Sequence, residues 1–254
     1  MPGDRTKPLV IAHRGFSGVA PENTLAAFQA AMAIGADMIE LDVHLSRDGE
    51  LVVLHDPDLR RTTNGRGTVR ALPLSSIQSF DAGSWFHRAF AGERVPTLRE
   101  VIELCRGKVG LDIEIKNPFP GYPGIVDKVL HLIRMYHLTA DEVLLSSFDA
   151  RLLVEIHRKA PSLPIGLITR HYSPALLSQV QQLRATYILY WLRATRTVIR
   201  QIKATRTRLF IWTVNHRRTM RRLLRESVDG IITKYPDRLQ EEMRTFSSSL
   251  LSPR

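Results

Sequence analysis

An α/β barrel, with eight parallel strands each followed by a helix, is the fold the sequence predicts, and three observations predict it. Short apolar runs of strand length alternate with helix-period segments along almost the whole chain. The alternation counts to eight strand–helix units. The length, 254 residues, suits a single barrel domain spanning 1–254.

The run LVIAH (9–13) leads into the helix TLAAFQAAMAIG (24–35), and MIELDV (38–43) follows. LDIEIK (111–116), VLLSSF (143–148), IGLIT (165–169), TYILYWL (186–192), LFIWTV (209–214) and GIIT (230–233) supply the remaining strands. Between them GIVDKVLHLIRMYH, ARLLVEIHRKA, ALLSQVQQL, TRTVIRQIKA and RRTMRRLLRES have helical periodicity, and PDRLQEEMRTF is the last helix. One run is extra. Only LSRDGE separates LVVLHD (51–56) from MIELDVH, too little for the crossover that a parallel return needs. The two runs therefore form an antiparallel hairpin turning at Asp48-Gly49, which brings His55 near the level of Glu40. Residues 57–96 read as a small irregular insertion, after which Thr97 caps the helix of PTLREVIELC. The tail, about 246–254, reads as frayed.

No apolar stretch is long enough to span a bilayer, and MPGDRTKPLVIAHRG lacks the apolar core of a signal peptide. The lone cysteine, Cys105, excludes an internal disulfide and reads as a small buried residue. A cytoplasmic location follows as the expectation. The net charge is +11 and uneven: residues 184–225 hold twelve Arg or Lys and no acid, and the rest of the chain is balanced. A concentrated basic face attracts phosphate-bearing partners.

In a barrel of this class, chemistry sits at the C-terminal ends of the strands. The first strand ends in His13-Arg14, the second carries Glu40 and Asp42 two apart and so on one face, and LDIEIK puts Asp112, Glu114 and Lys116 on one face. LFIWTVN contributes Trp212 and Asn215, and His55 joins from the hairpin. Carboxylates sharing a cavity raise one another's pKa unless a cation neutralises them. Glu40, Asp42 and Glu114 therefore read as ligands of a divalent metal, and all-oxygen ligation favours Mg2+, Ca2+ or Mn2+. The alternative is a buried ion-pair network with Arg14 and Lys116; Asp112, nearer the start of its strand, is the rival ligand. Two histidines beside a metal and two cations suit acid–base catalysis on a phosphate ester, one imidazole taking a proton from the nucleophile and the other giving one to the leaving alcohol. The sequence does not assign the two roles; His13 as base and His55 as acid is the hypothesis to test. The other histidines read as solvated or packing residues. His44, which shares parity with Glu40 and Asp42, is the one nearest to an exception.

The segments AHRG (12–15), PENTLAAF (21–28), GADMIELDV (35–43), DGELVVLHDPDLRRTTNGRG (48–67), DAGSWF with VPTL, LDIEIK (111–116), FIWTVN (210–215) and VDGIITKYPD (228–237), in this order, resemble the glycerophosphodiester phosphodiesterase family. The resemblance implies a distorted TIM (β/α)8 barrel with an extra hairpin strand and a small insertion. It implies metal-dependent hydrolysis of glycerophosphodiesters to sn-glycerol 3-phosphate and an alcohol, in which the glycerol 2-hydroxyl attacks phosphorus and water opens the cyclic phosphate. It also implies metal ligands at Glu40, Asp42 and Glu114, an acid–base pair at His13 and His55, phosphate contacts from Arg14 and Lys116, and a substrate pocket lined by Trp212. Two departures bear on substrate preference. Lys234 stands where the family more often has Asp or Asn, and TYILYWLRAT with IRQIKATRTR lacks the polar strand end and histidine often found there.

In the basic segment, Arg196, Arg200 and Lys203 are spaced to form one helix stripe, and five arginines crowd 217–225. This reads as a solvated surface or as a docking face for anionic membrane, with Tyr190 and Trp191 as interfacial anchors. No nucleic-acid module is present. Two other functions stay open at this stage: a lysophospholipase D-type activity at the same site, and a non-catalytic barrel binding anionic membrane or polyanions through its basic face.

Overall fold

The computed structural model describes residues 7–251. Strand β1 (Leu9–His13), helix α1 (Leu25–Ala33), β2 (Met38–Leu45) and β3 (Leu51–Val53) come first. The insertion holds one short helix, α2 (Leu74–Gln78), between two 3-10 turns, and α3 (Leu98–Cys105) then leads to β4 (Gly110–Ile115). Strict alternation follows: α4 (Ile125–Met135), β5 (Val143–Ser147), α5 (Ala150–Lys159), β6 (Ile165–Thr169), α6 (Pro174–Leu183) and β7 (Tyr187–Trp191). The series ends with α7 (Arg196–Lys203), β8 (Arg208–Trp212), α8 (Arg217–Arg225), β9 (Gly230–Thr233) and α9 (Pro236–Leu251). Eight strands pair in parallel in the order β1-β9-β8-β7-β6-β5-β4-β2, and β1 pairs with β2 to close the barrel. β3 lies outside it, antiparallel to β2, with Val43 opposite Val53 as the hairpin requires.

Residue parity decides what each strand presents to the barrel interior. Leu9, Ile11, Met38, Leu144, Phe210 and Ile232 belong to one buried cluster that packs the interior. On β1, β2, β5 and β8 they alternate in phase with His13, Glu40, Asp42, Ser146 and Trp212 further along the same strands. On these four strands one face is thus apolar at its start and more polar at its end, so the interior is a plug that opens upward into a polar cavity. The opposite face joins the helices in the main core, for example Ile39, Leu41, Ile113 and Leu145 against Phe28, Leu98, Val129 and Leu153. A third cluster, with Val52, Leu54, Leu59, Val69, Ile77 and Val95, lies under the insertion and binds it to the hairpin. At the entrance to α3, Thr97 and Glu100 form a full capping box.

The structure differs from the sequence reading at two boundaries. β3 stops at Val53; the Leu54 amide still donates to Asp42 O at 3.0 Å, and the chain then leaves the sheet, so His55 sits on a turn and not on a strand. The stretch read as the start of a frayed tail is helical to Leu251, because Met243 and Phe246 pack against the main core. Residues 252–254 lie outside the described residues.

Asp149 shows how a strand end is coupled to the next helix. Its side chain caps α5 by accepting from the Arg151 amide, pairs with the Arg151 guanidinium at 2.8 Å, and accepts from Asn117 Nδ2 at 2.6 Å in the β4 exit loop. The hydrogen bond from Arg151 holds its carboxyl down at about 2, against burial, with Asn117 assisting. A depressed carboxyl pKa stabilises the fold above the unfolded value, about 3.9, and that contribution is lost as pH falls through the folded value. In urea titrations between about pH 4 and pH 2, Asp149→Asn should therefore show a shallower loss of stability than the parent protein. An unchanged slope would refute this assignment.

Candidate active site

The barrel register assembles the site from adjacent strands. Asp42 on β2 lies beside Glu114 on β4, and Glu40 lies between His13 on β1 and Asp112 on β4. One oxygen from each of Glu40, Asp42 and Glu114 lies within 4.8 Å of the other two, and all three residues are buried. Among the described residues this is the one such acidic cluster. Asp112 is outside it: level with Glu40 in the strand register, it has its Oδ1 committed to Ser146 Oγ, which donates at 2.6 Å.

Two cations offset part of the cluster's charge. Lys116 Nζ lies 2.7 Å from Asp42 Oδ1 and also bonds Glu114 Oε1. Arg14 approaches from the β1 turn, with Nε 3.2 Å from Asp42 Oδ2 and its backbone amide donating to Glu40 Oε2 at 2.9 Å. That turn depends on the backbone of Arg14 and Gly15, both at positive φ (55° and 79°). A Cβ on Gly15 would stand 2.7 Å from the Ala27 backbone, so only glycine lets the turn lie against α1. Asn23 Nδ2 also donates to Asp42 Oδ2 at 2.8 Å.

This environment drives the three carboxylates apart electrostatically. Burial, then the neighbouring Asp42, raises Glu40 well above the carboxylate range. Burial also raises Glu114, with Lys116 opposing. For Asp42, burial is outweighed by Lys116 and Arg14, and the carboxyl is held low. Three buried acids against two cations leave a negative excess, and Glu40 has the weakest support. A hard divalent cation fits this donor set: the ligand atoms are all carboxylate oxygens, they converge, and Asp42 Oδ1 has no well-aligned hydrogen-bond donor.

The two histidines have different partners. His55 Nδ1 is 2.6 Å from Asp56 Oδ1. Asp56 is held ionised, at about 2, because Arg61 and His55 together outweigh burial. An ionised carboxylate only accepts, so Nδ1 carries the proton and Nε2 of the neutral ring is the free position. His13 has no such anion: its Nδ1 is buried without a partner, and its Nε2 is 3.9 Å from Glu40 Oε2. Burial, and then Arg14, lower its pKa well below the ordinary histidine value.

Both histidines line a cavity of about 220 Å3 together with Arg14, Glu40, Glu114 and Lys116. The far wall is formed by Phe148, Ile168, Arg170, Leu189 and Trp212. A larger groove, about 340 Å3, at the hairpin turn and α4 holds no comparable grouping.

Residues 13–238 match the glycerophosphoryl diester phosphodiesterase family. The chain belongs to this family. A glycerophosphodiester phosphodiesterase of Caldanaerobacter subterraneus subsp. tengcongensis is 43% identical over 92% of this chain and 96% of its own length. One from Bacillus subtilis is 34% identical over 90% of this chain and 84% of its own. Among solved structures, a phosphodiesterase of Oleispira antarctica in complex with the product sn-glycerol-3-phosphate superposes with a TM-score of 0.89 at 30% identity, covering 94% of this chain and 97% of that one.

Every residue predicted for the phosphodiesterase site lines this cavity or touches a residue that does. The sequence reading missed the layer that holds them. Arg14 Nη1 pairs with Glu22 at 2.7 Å, and Arg61 clamps Glu22 with both terminal nitrogens. Arg61 Nε then reaches Asp56 at 2.6 Å, and Asp56 holds His55. A continuous chain of ion pairs thus runs from the β1 turn through the insertion to His55. Its members lie in the quoted motifs PENTLAAF and DPDLRRTTNGRG, but nothing in spacing alone pairs them. His44 is a packing residue as read, and it is also a brace: its ring bonds Tyr122 Oη and the His55 carbonyl, each at 3.0 Å.

The basic segment is partly neutralised by its own fold. Arg196 pairs with Glu226, Lys203 with Asp229, and Arg217 and Arg221 with Glu241 and Glu242. Tyr190 is buried in the main core, which removes it as an interfacial anchor, and Trp191 is half-buried with Arg193 stacked 4.8 Å from its ring. No helix among the described residues is long and apolar enough to cross a membrane.

Because Arg61 acts through Glu22 and Asp56, Arg61→Gln should lower kcat by about ten- to a hundredfold while shifting the melting temperature little. Steady-state kinetics beside thermal unfolding checks this; unchanged kcat would remove Arg61 from the positioning layer.

Proposed function

We propose that the chain hydrolyses glycerophosphodiesters to sn-glycerol 3-phosphate and an alcohol, using one divalent metal held by Glu40, Asp42 and Glu114. The observation that carries this reading is the union, in one cavity, of three convergent buried carboxylates, two cations and two histidines with unlike partners. Arg14 and Lys116 are placed to bind the phosphate oxygens and to offset the charge that grows on them. When bound, the metal supplies Lewis-acid polarisation of the phosphoryl group and neutralises the carboxylates.

His13, unpaired and neutral, is the base: its Nε2 takes the proton of the attacking glycerol hydroxyl. His55 is the acid. Asp56 stabilises its imidazolium, and Nε2 gives a proton to the departing alkoxide. In the second step the roles reverse, with His55 activating water and His13 returning a proton to the sugar-alcohol oxygen. The intact set of side chains also speaks against a purely binding role for the barrel. Magnesium, calcium and manganese all suit the oxygen donors. Arg196, Lys203, Arg217 and Arg221 are engaged by acids that follow the segment, which speaks against 184–225 acting as a membrane-docking face.

Release of sn-glycerol 3-phosphate from glycerophosphoglycerol and glycerophosphocholine, with Mg2+, Ca2+, Mn2+ or excess EDTA, tests the reading, with lysophosphatidylcholine run alongside. Metal-dependent release is expected, with a loss of about a thousandfold in Glu40→Gln. Activity that persists in EDTA would overturn the metal assignment. Read as release of the leaving alcohol in the first step, a substrate with a good leaving group should rescue His55→Ala far more than His13→Ala, since in that step only loss of the acid is relieved. Equal rescue would reverse or dissolve the assignment of the pair.

A further inference from the structure

The mouth of the cavity holds a cation that the proposed chemistry does not use. Arg170 follows the C-terminal end of β6, is exposed, and has no carboxylate partner among the described residues. Its guanidinium lies 5.7 Å from the ring centre of Phe148 and 5.7 Å from that of Trp212. Those rings meet edge to face, 5.7 Å apart at 87°. Trp212 is fixed by donating its indole N–H to Leu189 O at 2.9 Å, so the arginine rests on an ordered surface. Asp149, the residue after Phe148, is held by Asn117 and Arg151.

The cavity also has a direction. Its inner end is closed by Ser146, Ile168, Leu189 and Ile232, all buried, whereas Phe148 is 46% exposed at the outer end. A small constant moiety, the glycerol, fits the closed end, and an alcohol of varying size must extend past Phe148 and Arg170.

We infer that Arg170, seated on Phe148 and Trp212, sets the charge preference for the leaving alcohol, favouring diesters whose leaving group is anionic and disfavouring quaternary ammonium groups. The inference rests on the functional reading above. Its physics is a competition. Two aromatic rings at a pocket mouth are the surface that binds a quaternary ammonium. Here a guanidinium already covers them, so a choline head must displace it and then remain beside a like charge. A phosphodiester or carboxylate on the leaving alcohol instead meets an unpaired guanidinium with a fixed donor fork.

Three substrates separate the charge states: bis(glycerophospho)glycerol, whose leaving group carries a second phosphodiester; glycerophosphoglycerol, whose leaving group is neutral; and glycerophosphocholine, whose leaving group is cationic. In the metal-loaded protein, kcat/KM should fall in that order. Arg170→Gln should shrink the ratio of the first to the third by about tenfold or more, partly by improving glycerophosphocholine. Arg170→Glu should reverse the order, and Arg170→Lys should keep it. An equal loss on all three substrates in Arg170→Gln would mean general steering of anions and would overturn the inference, as would an unchanged ratio. Release from all three at equal rates in the parent protein would sink the inference alone. No release from any of them would sink the functional reading beneath it.

Discussion

Burying three carboxylates at neighbouring strand ends is the constraint on which the rest of the site depends. Parallel pairing puts Asp42 and Glu114 side by side, and parity points both inward with Glu40. Low-dielectric surroundings make their mutual repulsion costly. The fold answers with the ammonium of Lys116, the guanidinium of Arg14 and the amide of Asn23. Each answer fixes more of the chain. Arg14 reaches Asp42 only from a left-handed turn, which only Gly15 can follow against α1. Asn23 reaches it because the segment after β1 turns back on itself before α1 begins, with the Asn23 amide donating to Arg14 O at 3.0 Å.

Much of this was legible in the sequence, for identifiable reasons. The strand ends could be read because apolar runs of strand length leave polar residues only where the barrel interior opens, as in LDIEIK. Glu40, Asp42 and Glu114 could be grouped because parity and strand order are both sequence properties. The supporting layer could not. Glu22, Asp56 and Arg61 are charged residues in polar loops, and a charged loop residue is ordinarily solvated. Only tertiary folding of the insertion onto the hairpin turns them into a linked set. The end of β3 was misjudged because LVVLHD continues in strand-like residues, while the chain leaves the sheet to place His55. Phe246 gave no sign that the last helix would extend beyond it, because its packing is against the core and not within the helix.

The basic segment shows how composition overstates a surface. Twelve cations without an acid read as an unbroken positive face, but the acids that answer four of them lie beyond its C-terminal end, at Glu226, Asp229, Glu241 and Glu242. Helices α7, α8 and α9 are clasped together by these pairs. The charge is real at long range, where it helps to draw in anionic substrates, and much weaker as a local docking patch.

Arg61 belongs to the insertion, whereas the two acids it grips, Glu22 and Asp56, belong to the barrel frame. The insertion has its own small core and looks like a detachable module. In heredity it is not one. A recombination event that replaced residues 57–96 would deliver a folded segment, yet would leave His55 without its line of support unless the incoming segment carried a guanidinium at the same place. Whatever else the insertion holds, a guanidinium facing both Glu22 and Asp56 is the one thing His55 requires of it.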